Sequence, residues 1–412
     1  MIKKLNIGVG LAILIGSVTI ATAAETIPVG QLIDYTGPTA DISTPYGLAV
    51  QDAIGYINAN GGIRGRKIQL KTTDYSYQVP QAISAYKSWV SGFKPVLIQG
   101  WGTADTEALA GFVAKDEIVY MSASYSGHLT DPTGVSPHTK RPAPYNFFYG
   151  PTYSDGCRAL VEWAKDDWEN KGREGTPAFQ HMGDNHPMPE APRAACESYA
   201  KDLGFEVLPP IRYSLAPGDF KSQCLSLKES GADYTFLGNT TGSNISLLSS
   251  CESIGVDDTQ FMTMVWGFDE NVVKSAGKAT DGIVWPVGSA LWGSEAPGMK
   301  LIHEIMAENG RSDQTLHYIR GICSAFFMRD AMTMAATEGD VTGPTIKAAL
   351  ETMTNHAPEE LEGVCLPHTW TPVNHRGTNL VRVYQSHWNG GNNSFEYLTT
   401  VELPRRQDWL GW

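Results

Sequence analysis

The chain has 412 residues, with 31 lysines and arginines against 44 aspartates and glutamates and a formal net charge of −13 at pH 7. That balance argues against nucleic acid or an anionic lipid surface as partner, and it bears on solubility rather than on substrate. At typical domain sizes of roughly 100–200 residues, the length calls for two lobes rather than one core.

Residues 1–24 open with Lys3 and Lys4, run apolar from Ile7 to Ile20 and end in Ala21-Thr22-Ala23-Ala24. A basic start, a short apolar stretch and small residues at the cut predict a secretory signal removed after Ala23 or Ala24. The stretch falls short of the roughly 20 residues that a membrane span needs. No cysteine stands at the cut, so the mature protein is expected to be free and soluble.

From Ile27 onward the pattern alternates strand and helix. Val29, Leu32 and Ile33 predict a buried strand that ends at Asp34-Tyr35-Thr36-Gly37-Pro38, and Val50, Ile54 and Ile57 then recur on one helical face. Gly61 closes that helix, and a strand over 67–73 follows the turn Asn60-Gly61-Gly62-Ile63-Arg64-Gly65-Arg66-Lys67. Tyr35 thus lies in a loop at the carboxyl end of a strand, where open α/β sheets face ligands. Helices are predicted over 80–91 and 106–114, with strands at 96–99 and 118–122, in the strict order of a parallel, doubly wound sheet. A loop rich in Pro, Gly and Thr, 127–144, leads to 146–149. The rhythm then restarts: helices over 153–170, 189–203, 220–230 and 243–254 alternate with strands at 178–182, 206–208, 234–237 and 261–265. A strand at 283–287, a helix over 316–338 and a crossing segment at 368–382 complete the reading.

The six cysteines are 157, 196, 224, 251, 323 and 365; none forms a Cys-x-x-Cys pair, which disfavours zinc or thioredoxin chemistry. An exported chain can oxidise them. Cys224 with Cys251, on successive helices, and Cys323 with Cys365 are the expected pairs, although buried thiols are the alternative for any of them.

The strand ending in Gly37-Pro38, the Asn60 to Lys67 turn and Asn374-His375-Arg376-Gly377 together resemble the branched-chain amino acid binding protein family, the type I periplasmic solute-binding proteins of ABC importers. The resemblance covers nearly the whole mature chain. It implies two doubly wound Rossmann-like α/β lobes joined by a three-stranded hinge, with crossings near Asn146, Val284 and His375. Lobe one is then 25–145 plus 288–366, and lobe two is 146–287 plus 367–412. It further implies a periplasmic monomer, without cofactor or catalysis, that closes on a small molecule and hands it to a membrane ABC permease. A bilobed sensor feeding a signalling receptor is the alternative use of the same fold.

Enzymatic templates are absent from the sequence: His303-Glu304 lacks the second histidine of a metalloprotease helix, and no Gly-x-Ser-x-Gly elbow occurs. What remains are small, polar and aromatic residues at strand ends. Trp101, Thr103 and Ala104 open a helix whose N-terminus suits an anionic head, although Thr103, Asp105 or Thr106 could instead be its cap. Ser124 and Ser126 follow the next strand. In the family these two loops hold the ligand carboxylate, which implies the same for Thr103 or Ala104, Ser124 and Ser126. The second lobe offers Tyr153, Thr241, Trp266 and Asp269, with Tyr153 equally readable as packing and Asp269 as a helix cap; His186 reads as surface structure. Family members that bind α-amino acids place an acid where the alignment puts Trp266. A buried ammonium without a counter-charge is costly, so small carboxylates or amides with apolar or aromatic bodies are expected to bind better than leucine or valine.

Overall fold

The computed structural model describes residues 1–2, 26–312, 314–391 and 393–412; the expected signal segment at 1–24 falls almost wholly outside the described residues. The first lobe starts β1 (Ile27–Ile33), α1 (Ala40–Ala59), β2 (Ile68–Asp74), α2 (Val79–Ser88), β3 (Leu97–Gly100), α3 (Thr103–Asp116), β4 (Val119–Ser122) and β5 (Asn146–Phe148). These strands form one parallel sheet in the order β2-β1-β3-β4-β5. Its central strands are buried without alternation because helices cover both faces, and Val29 in β1 stands between Leu70 and Leu97. Gly61 and Gly62 take φ of +99° and +60° in the turn before β2, a region glycine enters without strain.

The second lobe continues through α4 (Tyr153–Asn170), β6 (Ala178–Gly183), α5 (Pro187–Glu190), α6 (Arg193–Asp202), β7 (Glu206–Val207), β8 (Ile211–Arg212), α7 (Lys221–Ser230), β9 (Tyr234–Leu237), α8 (Thr241–Ser253), β10 (Gln260–Thr263), α9 (Glu270–Ala276) and β11 (Val284–Val287). The single helix expected over 189–203 is two, because prolines at 187, 189 and 192 remove amide donors and end the first after one turn. Next come α10 (Met299–Glu308), α11 (Leu316–Glu338) and α12 (Gly343–Leu350), then a separate ladder of β12 (Thr369–Thr371) and β13 (Asn374–Gly377). The hairpin of β14 (Leu380–His387) and β15 (Ser394–Glu402) joins β11 antiparallel, giving the order β15-β14-β11-β10-β9-β6-β7 with β8 beside β6.

The chain therefore passes between the two sheets after β5, after β11 and after β13. The first passage lies beyond the expected Asn146. Residues 146–148 are a strand of the first sheet, where Phe147 and Phe148 are fully buried beside β4. The third falls after Gly377, because His375 is held on the first lobe's side by its N–H to the Thr130 carbonyl at 2.9 Å. Helix α11 packs along α1. Gly321 permits that approach, since a side chain there would collide with the Tyr46 carbonyl. Disulfides join Cys157 to Cys196, Cys224 to Cys251 and Cys323 to Cys365, with Cα separations of 5.7, 5.0 and 5.8 Å.

Candidate functional site

The ends of β3 and β4 and the start of α3 face the second lobe across a narrow cleft. Thr39, Trp101, Thr103 and Ala123 line one side, and Tyr153, Met188, Thr240 and Trp266 line the other. Helix α3 starts at Gly102 with no side-chain cap, so neither Thr103, Asp105 nor Thr106 fills that role. The Ser124 hydroxyl donates to Thr103 Oγ1 at 2.8 Å, and Tyr153 of the opposite lobe lines the cleft beside Thr103 and Trp266, its hydroxyl interacting with those two residues and Ser124. Trp101 Nε1 donates to Thr39 Oγ1 at 2.9 Å, which fixes the indole plane.

Aromatic rings complete the wall. The Trp266 centroid lies 5.2 Å from Trp101, 5.9 Å from Tyr46 and 5.3 Å from Tyr125, and the ring stacks on His317 at 5.2 Å. The cavity left between these side chains is only ≈ 10 Å³, far below the roughly 300–1,000 Å³ typical of ligand pockets. This is a closed arrangement in which the two lobes' side chains pack on each other.

Acidic groups hold the lobes together at the rim. Asp41 of α1 accepts from the Thr241 hydroxyl and from the Gly242 N–H at 3.0 Å, an anion from one lobe at the start of α8 in the other. In the reverse sense, Glu270 of α9 accepts from the N–H groups of Leu316 at 3.1 Å and Trp292 at 3.2 Å. Asp269 caps α9 through the Asn271 and Val272 N–H groups and lies 3.3 Å from His317 Nε2. Burial holds the His317 imidazole below its ordinary range, with Asp269 opposing that trend.

The structure brings Trp101, Thr103, Ser124, Tyr153 and Trp266 to one place. It does not bring Ser126, whose hydroxyl donates to Glu107 at 2.8 Å, or Tyr35, whose hydroxyl accepts from Gln51 at 2.7 Å. Ala104 lies one step along α3, off the cleft lining; Thr241 and Asp269 serve the inter-lobe contacts just described.

Residues 26–392 match the family model described as periplasmic binding protein. The chain belongs to the periplasmic binding protein family. It is similar over 93% of its length to an ABC transporter substrate-binding protein of Aeropyrum pernix, at 26% identity, 98% coverage of that chain and a TM-score of 0.82. A Thermus thermophilus branched-chain amino acid ABC transporter structure with bound valine is similar at 20% identity, covering 92% of this chain and 97% of that one, with a TM-score of 0.81. Among curated proteins, Leu/Ile/Val-binding protein homolog 4 of Brucella abortus is 22% identical over 264 residues, which span 61% of this chain and 60% of that relative. Members of this family bind substrates rather than transform them, and the cleft holds contacts suited to recognition.

Sequence reasoning missed Thr39, Tyr46, His317 and Arg320. Thr39 lies in the loop after β1 and could have been read from that position. His317 and Arg320 lie on α11 behind Trp266, and that helix is buried on nearly every side through residue 328, so no polar stripe marks the face they share.

Proposed function

We propose that the protein captures a small organic acid or amide with an apolar or aromatic body in the periplasm and delivers it to a membrane ABC permease. One observation carries the ligand class. The polar group of Thr103, Ser124 and Tyr153 sits at an uncapped helix start beside the Trp101 and Trp266 rings. A helix start and hydroxyls favour a polar or negative head, and aromatic rings favour a flat or apolar body. An α-ammonium would need a charged, available acid. Asp41 binds the start of α8, Glu270 the start of α11, and Asp269 caps α9. Asp105 accepts from Tyr75 at 2.7 Å through one oxygen, the other has no partner among the described residues, and burial pushes its carboxyl up to about 7, which disfavours the charged form a counter-ion needs.

Closure follows from the same contacts. A ligand touching both lobes is fully bound only in the closed form and shifts the population toward it. A thermal-shift screen of organic acids, primary amides and amino acids tests the assignment. A true ligand at about 100 times its dissociation constant adds roughly 2.7 kcal/mol of stability. Stabilisation by leucine or valine with the acids and amides silent would overturn the ligand class.

A further inference from the structure

Arg320 is fully buried in the aromatic wall behind Trp266. Its Nη1 donates to the Val265 carbonyl of the opposite lobe at 2.7 Å and lies 3.3 Å from His317 Nδ1, while the guanidinium sits 4.9 Å from the Trp266 ring. Nε and Nη2 have no hydrogen-bond partner among the described residues, and neither does the hydroxyl of Tyr125, which interacts electrostatically with the guanidinium. Among the described residues no carboxylate forms an ion pair with Arg320; Glu270 and Asp269 act on it from farther away.

A buried cation with two unmet donors is costly unless an acceptor completes it. The unmet groups here are two N–H donors and a hydroxyl that can donate, so the complementary partner is an acceptor carrying negative charge. A carboxylate meets the Nε and Nη2 fork with two parallel bonds, a geometry that lysine cannot reproduce. Arg320 belongs to the first lobe and both Val265 and Trp266 to the second, so opening the cleft separates them and uncovers the fork.

We propose that Arg320 is the anion anchor of the cleft, taking the ligand carboxylate through Nε and Nη2 with the Tyr125 hydroxyl as a third donor. Thr103, Ser124 and Tyr153 are then left for a second polar atom. The inference rests on the organic-acid reading and narrows it, because acids should outrank their amides.

The test is calorimetry of benzoate, phenylacetate and isovalerate, each against its primary amide, on the unmodified protein and on Arg320→Gln and Arg320→Lys. Arg320→Gln should weaken acids by at least about tenfold, the size of a lost charged hydrogen bond, and amides far less, with Arg320→Lys between. Equal loss for acid and amide, or no loss, makes Arg320 structural only and overturns the anchor while the organic-acid reading stands. Should Arg320→Gln fail to fold, Tyr125→Phe keeps the ring and removes one donor. It must weaken acids more than amides, and an equal effect on both overturns the proposal. If the unmodified protein binds neither acids nor amides, the ligand class itself fails and the anchor with it.

Discussion

Trp266 of the second lobe borders the cleft, and its ring packs on Tyr46, Trp101, Tyr125 and His317 of the first. Replacing a large buried aromatic by alanine removes contacts worth about 3–5 kcal/mol in a rigid core. Trp266→Ala should therefore lower the melting temperature and let bulkier acids into the cleft, as calorimetry over a series of increasing acyl size would show. An unchanged size preference would mean that the ring does not border the ligand. Glu270 supplies a second test at this scale. Burial, then the nearby Asp269 charge, pushes its carboxyl from an ordinary 4.5 up to about 7. Between those values the folded protein holds a proton that the unfolded chain releases, so this group's contribution is full at low pH and is lost as pH rises to about 7. Glu270→Gln should remove that slope, and its melting temperature relative to the unmodified protein should be higher at pH 8 than at pH 5. The buried neutral His317 drives an opposite trend present in both proteins, so the difference isolates Glu270. An identical difference at both pH values would exclude the effect.

Among elements, the start of α4 and the end of β13 are joined by one buried cluster. Asp155, in the first turn of α4, receives Arg376 Nη2 at 2.7 Å and Nε at 2.5 Å, and Arg158 Nη1 at 3.0 Å. Burial alone would raise the Asp155 carboxyl; Arg376 and then Arg158 hold it below the usual range. Arg376 lies on β13 just before the third passage, so the pair pins two of the three connections to each other. Asp155→Asn leaves two guanidinium groups without their anion and should cost about 3–5 kcal/mol in urea unfolding; a loss under 1 kcal/mol would show that the cluster relaxes. The alternation of elements was legible because Val50, Ile54 and Ile57 keep a helical period and the central strands of the covered parallel sheet are short, mainly apolar runs. The break at Pro192 was legible too, because a proline lacks the amide that a continuing helix needs. Strand pairing was not legible: nothing local in Asn-Phe-Phe at 146–148 says which sheet receives it.

For the whole molecule, closure depends on groups distant in sequence meeting across the cleft. Asp41 and Thr241 are separated by 200 residues. Asp41→Ala removes the acceptor at the start of α8, a loss of about 0.5–2 kcal/mol for a helix cap. It should shift the ligand-free protein toward open forms, seen as a larger radius of gyration in X-ray scattering, with ligand restoring the compact value. No change in the ligand-free profile would show that the aromatic wall alone sustains closure. This also marks how far the sequence could be read for the site. Thr103, Ser124, Tyr153 and Trp266 follow strand ends or open helices, a position the sequence shows, whereas the contacts of Asp41 and Arg320 come only from partners in the other lobe.

Both lobes are assembled from segments that lie far apart along the chain, and this bears on biosynthesis. The apolar face of α1 is covered by α11, made some 270 residues later, and the free edge of β11 is covered by β14 from the last part of the chain. Neither hydrophobic core can close until translation is almost finished, so a nascent chain carries an uncovered helix face and an open sheet edge for most of its synthesis. A version ending at residue 379 should therefore be recovered as aggregate rather than as a smaller folded lobe, measured by the soluble fraction after expression. A soluble, cooperatively melting product would show that the first part of the chain can fold without the hairpin.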